Sequence, residues 1–559
     1  MITDAGRPWL AHYPAGRPAS VTVEFESALA LFTAAVAAAP DAPAVCYFGR
    51  TLSWAELDRA SDALASLLVS RGFAPGDRLA LYLQNDPAFV VGLLAAWKAR
   101  GIAALVSPMS KRDELDLALR DFAPAALLAL DDLYEDVARG VLQQGDVGVH
   151  TVVTVSPSDE QDRGDPRVFE GMSRRRPADT LDLYALVGSF SGPGPQPAAP
   201  ARSDVAVLAP TSGTTGEPKA AMLTHGNLAF NAQTYRDWTG LRPGEPVLAM
   251  APVFHVTGLV AGILVAFLLR SPLVLTHRFH PAVVLDAIRE CRPVFAVAPI
   301  TAYIALAEEP ALAPGDLSSL RLAYSGGSPI LPEVADRLET VLGRYIHNVY
   351  GQTEASSPTH MVPPGTRAPV DPETGVLSVG LPVFDTMVRV VDDRGATLPP
   401  GRIGELVTDG PQVAPGYWRR PDETALAFVD GALKTGDVGF MDADGWFYVV
   451  DRSTDLINAA GYKVWPHEVE QVLATHPAVQ EAAVVAIADD YRGQSTRAYV
   501  ALRPEASATE VELIEYCRGR MAAYKYPREI EIVHALPRSV TGKLLRRELR
   551  RRRPGGRPR

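Results

Sequence analysis

Two hydrophobic rhythms alternate along this chain. In TLSWAELDRASDALASLLVSRG (51–72) apolar residues recur at helical spacing and the run stops at a glycine, which predicts an amphipathic helix. DRLALYL (77–83) is a short apolar run of strand length, and FVVGLLAAWKAR (89–100) reads as a buried helix. The rhythm breaks over 155–202, where SPSDEQDRGDP and SGPGPQPAAPAR are rich in Pro, Gly and charge and predict a surface loop. It resumes with VAVLAP (205–210), VLAMAP (247–252), PLVLTH (272–277), VFAVAP (294–299) and LRLAYSG (320–326) as strands, with helical stretches such as PAVVLDAIREC (281–291) between several of them. Strands alternating with helices imply parallel βαβ units.

From about 376 to 450 the chain turns strand-rich. VRVVDDRGATL and FMDADGWFYVVDR each place a turn between hydrophobic runs. The last ~105 residues read as a separate small unit: HEVEQVLATHP and VELIEYCRGRMA as helices, AAVVAIAD and RAYVALRP as strands. The expected organisation is therefore a large N-terminal domain over 1–451, with α/β layers and a strand-rich subdomain. A small α+β domain over 452–545 follows, then a basic tail over 546–559 that is expected to be disordered and solvated.

Composition narrows the class. A chain of 559 residues is too long for a single core. Its 47% hydrophobic and 21% charged residues are those of a globular protein, and a net charge of -11 argues against a nucleic-acid partner. Cys46, Cys291 and Cys517 are far apart and show no metal spacing, which reads as reduced thiols in a cytoplasmic enzyme. The N-terminus lacks the basic start and apolar run of a signal peptide. The longest apolar stretch, Val256 to Leu269, falls short of the ~20 residues a membrane span needs and is read as a buried helix.

The sharpest chemical signal is Pro210-Thr211-Ser212-Gly213-Thr214-Thr215-Gly216-Glu217-Pro218-Lys219, directly after a strand. Glycines let backbone N–H groups approach an anion, and the hydroxyls and the lysine add donors, as a polyphosphate cradle requires. It is not the GxxxxGK[ST] phosphate loop. TSGTTGEPK resembles the phosphate-binding signature of the adenylate-forming superfamily, which holds acyl-CoA synthetases, amino-acid adenylation domains and beetle luciferases. Further resemblances follow in the family's order over nearly the whole chain. Met250-Ala251-Pro252-Val253-Phe254-His255 is similar to the segment lining the acyl pocket, and Tyr324-Ser325-Gly326-Gly327-Ser328-Pro329 to the adenine-side loop. Asn348-Val349-Tyr350-Gly351-Gln352-Thr353-Glu354, Lys434-Thr435-Gly436-Asp437 and Asp451-Arg452 resemble the YGxTE, ribose-binding and hinge motifs. Pro537-Arg538-Ser539-Val540-Thr541-Gly542-Lys543 resembles the loop bearing the catalytic lysine.

The resemblance implies a two-step reaction. ATP and a carboxylic acid give an acyl-adenylate, the small domain rotates, and coenzyme A takes the acyl group. It implies Tyr350 against adenine, Thr353 on phosphate, Asp437 and Arg452 on ribose, and Glu354 with Thr211 around Mg²⁺. It further implies Lys543 on the charge growing at the α-phosphoryl group. Phe254, His255, Gly326 and Gly327 would line the acyl pocket, and His255 would orient the carboxylate. Gly461, Tyr462, Lys463 and Lys525 would face CoA in the second step, with Asp451 and Thr454 at the hinge.

Thr454 and Ala460 depart from the family's usual hinge residues, so an enzyme specialised for one half-reaction, working with a partner enzyme or carrier protein, stays open. So do a non-catalytic homologue that only binds a nucleotide or acyl ligand, an amino-acid adenylation domain and a luciferase-like oxygenase. Pro252-Val253-Phe254-His255 holds no carboxylate to pair an α-ammonium, which disfavours an amino acid. Gly258, Ala261 and Gly262 either leave room for a bulky acid or let the helix pack closely. His277 and His280 are read as structural.

Overall fold

The computed structural model describes residues 7–145, 147–195, 199–211, 219–452, 455, 457–459, 462–489, 493–522, 524–539 and 544–552. Among these residues the strands form sheets of seven, nine, five and five strands. In the seven-stranded sheet, Leu181–Asp182, Thr151–Val155, Ala126–Leu130, Arg78–Tyr82, Ile102–Val106 and Val205–Thr211 run parallel, and Lys219–Thr224 closes one edge antiparallel. In the nine-stranded sheet, His347–Gln352, Leu322–Ser325, Phe295–Ala298, Val247–Leu248, Leu273–Leu275 and Pro43–Tyr47 are parallel neighbours. Helices cover the faces of these sheets, so central strands such as Ala126–Leu130 and Phe295–Ala298 are buried throughout. One apolar core, containing Trp9, Trp54, Trp97 and Trp238, runs through this part of the molecule.

The strand-rich region is an antiparallel sheet in which Ala432–Met441 pairs with Gly404–Asp409 and with Phe447–Arg452. A further sheet starts at Ile457. There Val479–Asp489 and Gly493–Leu502 form a long hairpin, and Glu529–Val533 adds in parallel. Its core, with Val469, Leu473, Val484, Val500 and Leu513, is separate from the large one. Among the described residues no helix is long and apolar enough to cross a membrane.

Several expectations need correction. The 51–72 run begins as a strand, Arg50–Ser53, paired with Pro43–Tyr47. The helix starts only at Trp54, because Ser53 and Glu56 make a reciprocal capping box, Ser53 N to Glu56 Oε2 at 2.7 Å and Glu56 N to Ser53 Oγ at 3.2 Å. The expected loop over 155–202 contains two short helices, Pro166–Phe169 and Leu183–Ser189. Asp165 and Asp182 cap them, and buried Val168 and Leu183 anchor them. The 247–252 strand shrinks to Val247–Leu248, because the residues after it bend away under the hold of Asn85 described below. The buried 256–269 segment is π-helical over Gly258–Leu264 and α-helical over Val265–Leu269.

The tail expectation also changes. Arg546–Arg551 is a helix docked on the last sheet. Leu549 is fully buried and its carbonyl accepts from Tyr499 at 2.9 Å. Arg546 pairs with Glu470 at 2.5 Å and Arg550 with Asp455. Each of these arginines finds a carboxylate far away in sequence, which is why the basic run looks solvated when read alone. Residues 553–559 lie outside the described residues.

Candidate active site

Parallel strands deliver their following loops to a common edge. Val247–Leu248, Phe295–Ala298, Leu322–Ser325 and His347–Gln352 lie side by side in register, so 249–255, 326–329 and 352–354 all emerge beyond the strands' carboxyl ends. That edge is where open α/β sheets place ligands.

The Tyr350–Glu354 segment is shaped by one bulge. His347–Gln352 pairs antiparallel with Ser357–Met361, and the register shifts between Tyr350 and Gly351. A Cβ at position 351 would lie 1.9 Å from the Ser357 carbonyl oxygen, so only glycine fits. Gly351 thus serves close approach of a neighbouring strand. A Thr353–Ala355 turn of 3-10 helix then presents Glu354.

The Tyr350 hydroxyl donates to Asp437 Oδ2 at 2.7 Å. Gln352 Nε2 donates to the same oxygen at 2.6 Å and to the Thr435 carbonyl at 2.8 Å. Asp437 is only 5% exposed. Its backbone is fixed by pairing with Arg452 and by a bond from its N–H to Thr435 Oγ1 at 3.1 Å. The Tyr350 ring also lies 5.3 Å from that of His360. Sequence reasoning assigned Tyr350 only a stacking face; its hydroxyl also orients the Asp437 carboxylate.

The phosphate-loop stretch is bounded by a strand pair rather than by a strand and a helix. Thr211 is the register partner of Lys219, and Pro210 that of Ala220. Ser212, Gly213, Thr214, Thr215 and Gly216 lie outside the described residues. The Lys219–Thr224 strand has a further neighbour, 416–418: Met222 N donates to Gly416 O at 3.0 Å and Trp418 N to Ala220 O at 2.8 Å. This pairing brings Tyr417 under Lys219, whose Nζ lies 5.5 Å from the ring centroid. The Tyr417 hydroxyl donates to Glu354 Oε1 at 2.9 Å. Burial, and then the charge of Glu354, hold that phenol well above its ordinary pKa, so it stays a donor. Lys219 and Glu354, 135 positions apart in the chain, are joined by a tyrosine that sequence reasoning passed over. The Gly416-Tyr417-Trp418 triplet just before Arg-Arg-Pro was the available signal.

The acyl-pocket segment was read correctly in place but without its support. Asn85 Oδ1 accepts from Val253 N at 2.8 Å, and Asn85 Nδ2 donates to the carbonyls of Ala249 and Ala251, both at 3.1 Å. The asparagine itself is 6% exposed and is held by backbone pairing with His277. Phe254 is buried and His255 half-buried, with His255 Nδ1 3.5 Å from Thr257 N. The glycines of the following helix are packing residues. A Cβ on Gly258 would meet the Pro252 carbonyl oxygen at 2.2 Å, and Gly262 faces Ala249 and Leu273.

The adenine-side loop sits on the neighbouring strand. Gly326 is required because a Cβ would lie 2.7 Å from the Val349 carbonyl oxygen, and Gly327 has φ +87°. Ser328 Oγ is buried with no protein partner among the described residues, and Pro329 follows it in the loop that leads to the helix Pro332–Leu342. His277 is a core residue, 3.3 Å from the Tyr47 hydroxyl, and burial lowers its pKa to about 3.

On the small sheet, Lys525 pairs with Glu468 at 2.6 Å. Glu468 lies in the helix Pro466–Ala474, which directly follows the strand holding Tyr462 and Lys463. Lys543 lies outside the described residues, as do Thr454, Ala460 and Gly461; of Asp451, Arg452, Tyr462 and Lys463 only the backbone is described. The residues flanking the lysine are fixed: Arg538 and Leu544 form an antiparallel bridge, and Leu545 N donates to Pro537 O at 2.9 Å.

Comparison with known proteins follows this geometry. The sequence profile described as "AMP-binding enzyme" matches residues 32–418, and "AMP-binding enzyme C-terminal domain" matches 468–543. The chain is 33% identical over 555 residues to a long-chain-fatty-acid–CoA ligase of Bacillus subtilis, covering 97% of each protein. It is 35% identical over 518 residues to a feruloyl-CoA synthase of an Amycolatopsis species, covering 92% of this chain and 96% of that one. The ATP-bound crystal structure of MatB from Rhodopseudomonas palustris superposes with a TM-score of 0.81 at 28% identity, over 94% of this chain and 98% of that one.

Proposed function

Because this chain belongs to the acyl-CoA synthetases of the adenylate-forming superfamily, we propose that the edge described above carries out both steps of its reaction with the residues named there. The enzyme is an acid–thiol ligase: it joins a carboxylic acid to coenzyme A, using ATP and passing through an acyl-adenylate.

The first step is attack of a carboxylate oxygen on the α-phosphorus, with the bond to pyrophosphate breaking. In our assignment Asp437 accepts from the ribose hydroxyls, because an ionised, rigidly held acceptor makes the stronger bonds. Tyr350 and Gln352 keep that carboxylate turned toward the site. The Ser328 hydroxyl and the Thr211–Lys219 stretch receive the nucleotide's polar groups, and Lys543 approaches the growing phosphoryl charge. His255 orients the substrate carboxylate at the mouth of the pocket. Glu354 fits a Mg²⁺ ligand, since it is a hard oxygen donor fixed by Tyr417, whose ring lies under Lys219. When bound, that ion would neutralise phosphate charge.

In the second step the CoA thiolate attacks the adenylate carbonyl and AMP leaves. Lys525, Lys463, Tyr462 and Gly461 are the groups proposed to face CoA after the small domain, 452–545, turns about Asp451–Thr454.

We assign the acid as one with an apolar body and no α-amino group. Phe254 and the helix behind it are apolar, and Pro252–His255 offers no anion for an ammonium. The relatives that act on long-chain fatty acids and on ferulate fit that class.

The single observation that carries the proposal is the contact chain Lys219–Tyr417–Glu354 beside Tyr350/Gln352–Asp437, which gathers four distant segments around the end of the strand His347–Gln352. The test is a panel of fatty, aryl and alicyclic acids with ATP, Mg²⁺ and CoA, read by mass detection of the thioester. Pyrophosphate exchange and CoA capture of supplied acyl-adenylates are measured in parallel. Thioester from apolar acids supports the assignment; thioester only from amino acids overturns the acid class.

A further inference from the structure

Cys46 and Cys291 play no part in the ligase chemistry, yet the fold brings them together. Cys46 lies in the strand Pro43–Tyr47, in register with Val274 of the neighbouring strand. Cys291 is the last residue of the helix Pro281–Cys291. Both are half-buried and line one cavity of about 210 Å³, together with Thr51, Arg50 and Arg163. The two thiols are close enough to perturb each other's ionisation, and Thr51 Oγ1 lies 4.0 Å from Cys46 Sγ.

We propose that Cys46 and Cys291 form a dithiol modification site that reacts with hydroperoxides and closes to an intramolecular disulfide between the strand Pro43–Tyr47 and the helix Pro281–Cys291.

The roles of the two sulfurs follow from their surroundings. The neighbouring Cys291 thiol, with the Thr51 hydroxyl, brings Cys46 down to about 7 despite its burial. Cys291 is pushed well above the ordinary thiol range by the same contact and by burial, so it remains a thiol. The thiolate is the nucleophile in thiol oxidation. Cys46 sulfur attacks the peroxide oxygen, the O–O bond breaks, and the second oxygen leaves, once protonated, as water from hydrogen peroxide or as the alcohol from an organic hydroperoxide. Cys46 is then a sulfenic acid. The Cys291 sulfur attacks the Cys46 sulfur, the S–O bond breaks, and the Cys291 proton leaves with the departing hydroxide as water. In all, two thiols are oxidised, one hydroperoxide is reduced, and one S–S bond forms. Cys517 serves as an internal control, because it is fully buried and burial raises its pKa to about 11. The bridge would close a loop of about 245 residues, the long-loop case in which a crosslink restricts the unfolded chain most.

The experiment uses the full-length enzyme treated with stoichiometric hydrogen peroxide, blocked with iodoacetamide, digested without reductant and analysed by mass spectrometry. The expected product is a Cys46–Cys291 crosslinked peptide pair, two hydrogens lighter than the reduced pair. It should disappear on dithiothreitol treatment while Cys517 remains alkylated. In Cys291→Ser, Cys46 should stop at a sulfenic acid that dimedone traps. In Cys46→Ser, Cys291 should stay unoxidised. The crosslink should also raise the melting midpoint of the wild type by a few degrees and leave Cys46→Ser unchanged. The proposal is overturned if wild-type Cys46 oxidises no faster than Cys517. It is equally overturned if Cys46 passes to sulfinic acid without the crosslink appearing.

Discussion

The strand-end edge of the large domain and the charged face of the small sheet solve opposite problems. On the edge, the carboxylates we assign to the nucleotide and its metal are held by neutral donors: Asp437 by Tyr350 and Gln352, and Glu354 by Tyr417. Those bonds fix the direction of both carboxylates before any nucleotide arrives. On the small sheet the basic groups are matched by carboxylates: Lys525 by Glu468, Arg546 by Glu470, Arg550 by Asp455. Under our assignment of Lys525 to CoA, that lysine has to exchange partners first. One region is preorganised and the other is held in reserve, which is what a reaction with a fixed nucleotide site and an exchanging second domain requires.

The largest effect that would break this comparison is at Lys543. Lys543→Ala should lower acid-dependent pyrophosphate exchange by ~10²–10³-fold. CoA capture of a supplied acyl-adenylate should change by less than about threefold if the two half-reactions use different faces of the small domain. Equal losses in both assays would merge the two regions into one. Next, Asp437→Ala should raise the KM for ATP by roughly ten- to a hundredfold, since it removes the carboxylate acceptor that Tyr350 and Gln352 share. Titration with ATP by calorimetry checks this, and an unchanged affinity would detach Asp437 from the nucleotide.

Tyr417→Phe sharpens the contrast further. It keeps the ring under Lys219 and removes only the donor on Glu354, so adenylation should fall about tenfold, the worth of one hydrogen bond to a charged group. Tyr417→Leu should fall further.

The smallest effect is on stability with pH. Burial lowers His277 and His360 to about 3 and His225 to about 4 in the large domain, and His467 to about 4 in the small one. Each is neutral when folded and protonates more easily when unfolded. Its contribution is therefore complete above about pH 6.5 and falls as pH drops below that, by up to about 1.4 kcal/mol per pH unit per histidine. Asp86 works the other way: burial raises it to about 7, so its contribution is present below about pH 4 and lost as pH rises toward 7. Hydrogen exchange followed by segment from pH 7 to 5.5 should show the large domain loosening more steeply than the small sheet. Asp86→Asn should remove the opposing trend.

Much of this was legible in the sequence, and the reasons differ by residue. The strands 205–210, 294–299 and 320–326 and the helix 281–291 announce themselves as apolar runs or helical spacing, because their partners are any apolar surface. The motif order was legible because short stretches carry their own chemistry. What stayed hidden depends on one specific distant partner. Tyr417 looks like an ordinary loop aromatic until its strand pairs with Lys219–Thr224. Asn85 is a lone polar residue until Val253 arrives. The tail helix looks solvated until Glu470, Tyr499 and Asp455 collect on its path. Gly258 could mean space or contact, and only the position of the Pro252 carbonyl decides for contact.

The central claim is that a substrate carboxylate attacks the α-phosphorus of a nucleotide held at this edge. Incubation with ATP, Mg²⁺, CoA and an apolar acid labelled with ¹⁸O in its carboxyl group tests it directly, by mass spectrometry of the products. The account requires one ¹⁸O atom in AMP and none in pyrophosphate. Label appearing in inorganic phosphate or pyrophosphate, with AMP unlabelled, would contradict it.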